Sequence, residues 1–76
     1  NCVCPGYVDT DMVRRDYIEQ ADDSAAAEQE VQNFAPLKRM ASTGEIASAI
    51  VYLASEEARF ITGAALQING GSTAGR

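Results

Sequence analysis

The chain has 76 residues, with 11 acidic and 6 basic side chains and no histidine, a formal charge of −5 and a pI near 4.4. That length makes at most one small domain, one that buries only about 60% of the surface its unfolded form exposes, and the acidic balance argues against a nucleic-acid or anionic-membrane partner, both of which need clustered Lys and Arg. No apolar run approaches the roughly 20 residues of a membrane span, and residues 1–4 lack the basic flank and cleavage pattern of a signal peptide, so a soluble cytoplasmic protein is expected.

The opening Asn1-Cys2-Val3-Cys4 is a short apolar run that stops at Pro5-Gly6, where a missing backbone donor and a residue tolerant of unusual backbone angles predict a strand ending in a sharp turn. The run begins with no methionine and no lead-in, and the strand is expected to have lost residues on its N-terminal side. Cys2 and Cys4 are the only cysteines, so no four-ligand zinc site or other metal centre is expected. On a strand their thiols share one face, where they are expected to pack in the core as small hydrophobes.

Residues 11 to about 32 are polar, acidic and alanine-rich, with Met12, Val13, Tyr17 and Ile18 giving a loose apolar face at helical spacing. Two short helices are expected, broken around Asp22-Asp23-Ser24. The second, residues 25 to about 34, offers mainly alanines, Val31 and Phe34 for packing, so little burial and high mobility are expected of it. A solvated hairpin without function is the alternative reading of this acidic segment.

Pro36-Leu37 ends that region. Ser42-Thr43-Gly44-Glu45 then has the spacing of a capping box, and Ile46, Ile50, Leu53 and Ala54 follow at i, i+4, i+7 and i+8, with Ala47 and Val51 widening the stripe. A helix over 43–54, packed closely on a sheet, is predicted. After Ser55-Glu56-Glu57, the apolar run 64–68 stopped by Asn69-Gly70-Gly71 reads as a buried strand and tight turn, followed by a polar tail over 72–76. A helix between two strands favours parallel pairing, so the fold class is α/β, in the order strand, helical excursion, helix, strand.

Self-contained catalysis finds no support in these residues. Without histidine, Ser-His and Cys-His nucleophile systems are excluded. Acid pairs such as Asp9 with Asp11 or Asp22 with Asp23 have nothing near them to bury them, and solvated acids keep ordinary pKa values. The segment 70–75 lacks the Gly-Lys-Ser/Thr ending of a phosphate loop and no helix follows it, so it reads as a terminal turn and tail.

The loop at the carboxyl end of the first strand is where open α/β sheets place ligands. Its Pro5-Gly6-x-Val8-x-Thr10 resembles the segment with which short-chain dehydrogenases/reductases hold the nicotinamide end of NAD or NADP. The resemblance continues through the capped helix and through Thr62-Gly63 to Asn69-Gly70-Gly71, and so covers essentially the whole chain. It departs at Asn69, where the family more often has Asp, a change of small consequence because either side chain bonds locally in a turn.

The resemblance implies that residues 1–76 are the C-terminal part of one Rossmann-like, doubly wound parallel sheet, with a substrate lid over about 11–35. Pro5 and Gly6 would abut the nicotinamide ring, the backbone of Val8 would bond its carboxamide, and the Thr10 hydroxyl would add a polar contact. Met12, Tyr17 and Ile18 would line the substrate pocket or, alternatively, pack the lid to the body. The family's catalytic Tyr-x-x-x-Lys is absent, since Tyr7, Tyr17 and Tyr52 are followed at that distance by Asp11, Ala21 and Glu56. No catalytic residue is therefore assigned, and the chain alone is expected to be inactive. The pyrophosphate-binding glycine turn, the residue that selects the ribose and the catalytic serine would lie upstream. The implied activity is interconversion of a small-molecule alcohol and carbonyl by a homotetramer assembled through the last helix and strand. A small non-catalytic binding or assembly module that retains only the strand-helix-strand unit is the alternative.

Overall fold

The computed structural model describes residues 1–75. Strand β1 (Cys2–Pro5) pairs in parallel with β2 (Ala65–Ile68), in the register Cys2–Ala65, Val3–Leu66, Cys4–Gln67 and Pro5–Ile68. The Cys2 N–H to Ala64 O bond (2.9 Å) and the Gly6 N–H to Ile68 O bond (3.0 Å) close the ladder at its two ends. The Asn1 side chain fastens the run-in to β2, its amide donating to Ile61 O (2.9 Å) and its Oδ1 accepting from Ala64 N–H (2.9 Å). The parallel α/β arrangement is the one the sequence predicts.

Helix α1 (Asp11–Val13) starts at Thr10, whose extended backbone and side-chain oxygen cap it, and runs directly into a π-helical turn over Arg14–Ile18. Glu19 N–H bonds back to Arg14 O at 2.8 Å, and such i→i−5 bonds set residues five apart one above the other. Val13 and Ile18 therefore turn inward as a pair, while Met12 and Tyr17 stay exposed. Helix α2 (Ser24–Asn33) is capped by Asp23, whose carboxylate accepts from Ala26 N–H at 3.1 Å. Its Ala27 and Val31, four apart, face in, and Val31 at 2% exposure is the most deeply covered residue of the core. The expectation of little burial in this helix is thus corrected, since one i, i+4 pair suffices to seat it. Phe34, expected to pack, is exposed.

Helix α3 (Thr43–Ala54) has the predicted bounds and the predicted capping box, with Glu45 N–H on Ser42 Oγ (3.1 Å) and Ser42 N–H on Glu45 Oε1 (2.9 Å). Its close packing on the sheet is not found. No α3 residue is buried, and Ile50, Val51 and Tyr52 are exposed. Strand β2 is likewise open over Ala65, Leu66 and Gln67, with Ile68 half-buried, and Cys2 is exposed and Cys4 half-buried rather than in a core. The cause is area, because a layer of two short strands cannot cover a three-turn amphipathic helix. The core forms instead beneath the lid, from Ile18, Val31 and Met40 with Val13 against them. The exposed surface is 5457 Å², against about 4,500 Å² for a compact monomer of this mass.

Candidate functional site

The site begins where β1 ends. Gly6 has no positive φ, so the turn does not need glycine for its backbone angles. It needs glycine for space, since a Cβ there would lie 2.9 Å from Asn69 Cβ and 3.1 Å from Asn69 Cα. Asn69 is held in turn by its own bonds, its Oδ1 accepting from Gly71 N–H (3.2 Å) and its amide donating to Thr73 Oγ1 (2.9 Å). Gly70 and Gly71 have positive φ of 62° and 93°, a Cβ on them would lie 3.0 Å from Ala35 Cβ and 3.2 Å from Pro36 Cγ, and Leu37 N–H bonds Gly70 O (3.2 Å), so the connection after the lid runs beside the end of β2.

Beyond Gly6 the chain is extended and Val8 forms an isolated parallel bridge with Ala41. The bridge uses the neighbours of Val8, with Asp9 N–H donating to Ala41 O (2.8 Å) and Ala41 N–H donating to Tyr7 O (3.0 Å). Alternation along an extended chain turns the N–H and C=O of Val8 itself to the opposite edge. Neither has a partner among the described residues. Next to them, Thr10 Oγ1 accepts from Val13 N–H at 3.3 Å, which leaves the hydroxyl proton free to donate.

Pro5, Gly6, Val8 and Thr10 all line one cleft of about 480 Å³, whose far wall is Ile46, Ala47 and Ile50 of α3. Met12 also lines it. Tyr17 does not, and its ring lies 6.4 Å from that of Tyr7. Ile18, at 4% exposure, belongs to the lid core, so for this residue the packing alternative holds. Tyr7, Val13 and Thr43 are lining residues that the sequence did not single out. The α3 stripe was visible at its 3.6 spacing, but the spacing does not say that its first turns would face this loop. Tyr7 also stands edge-on to Phe34 at 5.5 Å and separates the cleft from a second hollow of about 580 Å³ bounded by Leu37, Arg39 and the 69–71 turn.

The lining of the cleft holds no carboxylate, lysine, arginine, histidine or thiol. Such a surface suits a neutral group, and the Tyr7 phenol, its one acidic side chain, has no lysine or histidine in the lining to act with. An ion cluster stands beside it. Asp9, between Val8 and Thr10, receives two bonds from the Arg14 guanidinium, at 2.6 and 3.0 Å, and Arg14 reaches Glu28 Oε1 at 2.9 Å. Those bonds hold the Asp9 carboxyl below the usual carboxylate range.

The family model described as enoyl-(acyl carrier protein) reductase matches residues 1–73. Among curated relatives, the chain is 40% identical over 79 residues to the uncharacterized oxidoreductase YxjF of Bacillus subtilis (strain 168), covering 97% of this chain and 31% of that protein. It is 42% identical over 71 residues to the 3-oxoacyl-[acyl-carrier-protein] reductase FabG of Salmonella typhimurium, covering 93% of this chain and 26% of FabG. Among solved structures, a short chain dehydrogenase family protein from Francisella tularensis superposes with a TM-score of 0.85 at 37% identity, over 95% of this chain and 31% of that one. A 4-hydroxyisoleucine dehydrogenase complexed with NADH superposes with a TM-score of 0.77 at 32% identity, over 97% and 28% of the two chains. The chain thus spans less than a third of the length of each protein it matches here. With the family model matched along nearly all of its length and the same fold found in structures more than 30% identical to it, the chain belongs to the short-chain dehydrogenase/reductase family.

Proposed function

We propose that these residues are the C-terminal portion of an NAD- or NADP-dependent oxidoreductase that interconverts an alcohol and a carbonyl, and that they supply its nicotinamide-contacting loop and substrate lid. The observation that carries this reading is the free N–H and C=O of Val8 beside the free hydroxyl proton of Thr10, in a cleft lined without charge. A carboxamide offers one C=O acceptor and an NH2 donor, so the Val8 pair and the Thr10 hydroxyl match it group for group. Fixing that amide fixes which face of the ring is presented, and orientation of this kind is worth several kcal/mol in rate. The nicotinamide, when bound, supplies the acceptor or donor of hydride. Pro5 and Gly6 would abut the ring with the Pro5 pyrrolidine and the bare Cα of Gly6, and Met12, which lines the cleft, would meet the substrate from the lid. Proton transfer at the substrate oxygen needs a tyrosine with a lysine four residues after it, a pairing that none of Tyr7, Tyr17 and Tyr52 has.

The same reading makes the full-length protein a cytoplasmic homotetramer acting on a small molecule. The uncovered face of α3 and β2 supports the assembly.

The test is nucleotide binding by the full-length protein, followed by the fluorescence of NADH and NADPH. Thr10→Val should weaken binding about tenfold through loss of the cap and of the donor, and Thr10→Ser, which keeps both, should bind like the wild type. A wild-type protein that binds neither nucleotide overturns the reading.

A further inference from the structure

We propose that Arg14 is a positioning residue that couples the nicotinamide-contacting loop to both segments of the lid, so that the loop holds its binding geometry only while the lid is seated. The inference rests on the functional reading above and adds a residue and a linkage to it. Three segments meet at this one guanidinium. Its Nε and Nη2 donate to the two carboxylate oxygens of Asp9 in the loop (2.6 and 3.0 Å), while Nη1 donates to Glu28 Oε1 on α2 (2.9 Å). Its own backbone belongs to the π-helical turn, where its N–H bonds Thr10 O (3.1 Å) and its C=O accepts from Glu19 (2.8 Å).

The position of these contacts along the loop decides their consequence. Asp9 stands between Val8, a lining residue whose backbone N–H and C=O are left free by the bridge to Ala41, and Thr10, whose hydroxyl caps α1. With Asp9 N–H already bonded to Ala41, a pull on its side chain rotates the segment about that bond and redirects the groups on either side. All three ionic side chains are between a third and a half exposed, and an exposed pair adds little to global stability. Two-pronged guanidinium geometry contributes direction instead, which a lysine point charge cannot reproduce toward two carboxylates at once.

The experiment uses the full-length protein, with NADH and NADPH as probes and two readouts, nucleotide affinity and hydrogen exchange of the α2 amides with and without nucleotide. In the wild type, nucleotide should slow exchange across 24–33. Arg14→Met should weaken nucleotide binding about tenfold and abolish that slowing, with Arg14→Lys intermediate. Glu28→Gln, which weakens the α2 arm and leaves the Asp9–Arg14 bonds in place, should lessen the slowing in α2 and weaken nucleotide binding by about threefold, less than Arg14→Met does. Arg14→Met with wild-type affinity and intact slowing overturns the proposal, as does a fall in melting temperature without change in either readout. A wild type that binds neither nucleotide overturns the functional reading and this inference with it, whereas a wild type that binds while Arg14→Met binds equally overturns this inference alone.

Discussion

Gly6 and Gly44 are the same residue type in opposite surroundings. A Cβ on Gly6 would press into Asn69 backbone and side chain at about contact-forbidden range (2.9 and 3.1 Å), whereas one on Gly44 would meet only Ser42 Oγ at 3.9 Å, within a helix. Gly6→Ala should therefore cost about 1–3 kcal/mol through forced displacement of the β2 end, and Gly44→Ala should gain about 0.5–1 kcal/mol by lowering the entropy of the unfolded chain. Urea unfolding of the full-length variants, read as midpoints at unchanged slope, checks both signs. Proximity of Gly6 to Asn69 links residues at opposite ends of the chain, so no local pattern could distinguish these two glycines. Asn69 teaches a related point. Its acceptor role in the turn was legible, but its amide also donates to Thr73, which an Asp could not do.

At the scale of elements, α3 was legible to its bounds because the Ser42–Glu45 capping box marks its start and the polar Ser55-Glu56-Glu57 follows the last residue of its apolar stripe. The box also predicts an acid response. The Arg39 guanidinium first, and the Ser42 N–H second, hold Glu45 down at about 2, from an ordinary 4.5. A carboxyl whose folded pKa is depressed contributes stability that is fully present above its unfolded pKa and is lost as pH falls through the folded value. The contribution of Glu45 should thus fade between pH 4.5 and about 2. Acid titration of unfolding should show wild type losing its advantage over Glu45→Gln across that window, and equal curves at every pH would refute the assignment. The lid was less legible. Met12, Val13, Tyr17 and Ile18 form one loose face on a 3.6 period, but the π turn over Arg14–Ile18 sorts them by fives, sending Val13 and Ile18 inward and leaving Met12 and Tyr17 out. The Asp9–Arg14 pair has the same spacing of five and escapes a search for pairs three or four apart.

For the molecule as a whole, the radius of gyration is 14.5 Å, where a compact domain of this length has about 11 Å. Phe60 is fully exposed, and with the bare face of α3 it leaves an apolar surface that water penalises. The isolated 76-residue polypeptide is accordingly expected to be molten or to aggregate, with poorly dispersed amide signals and no cooperative melt, while the full-length protein melts cooperatively. Dispersed signals and a cooperative melt from the isolated chain would favour the small binding module instead. The sequence by itself determined the local elements and their order, because caps, glycine turns and apolar spacing act over a few residues: the strand before Pro5-Gly6, the helix after Ser42, the strand before Asn69. Tertiary structure alone decided which of these elements are covered, that Ile18 packs while Met12 faces the cleft, and that the bridge to Ala41 leaves the N–H and C=O of Val8 free. Each of those outcomes depends on what lies across a gap from residues distant in the chain, and burial and backbone pairing are properties of neighbours in space.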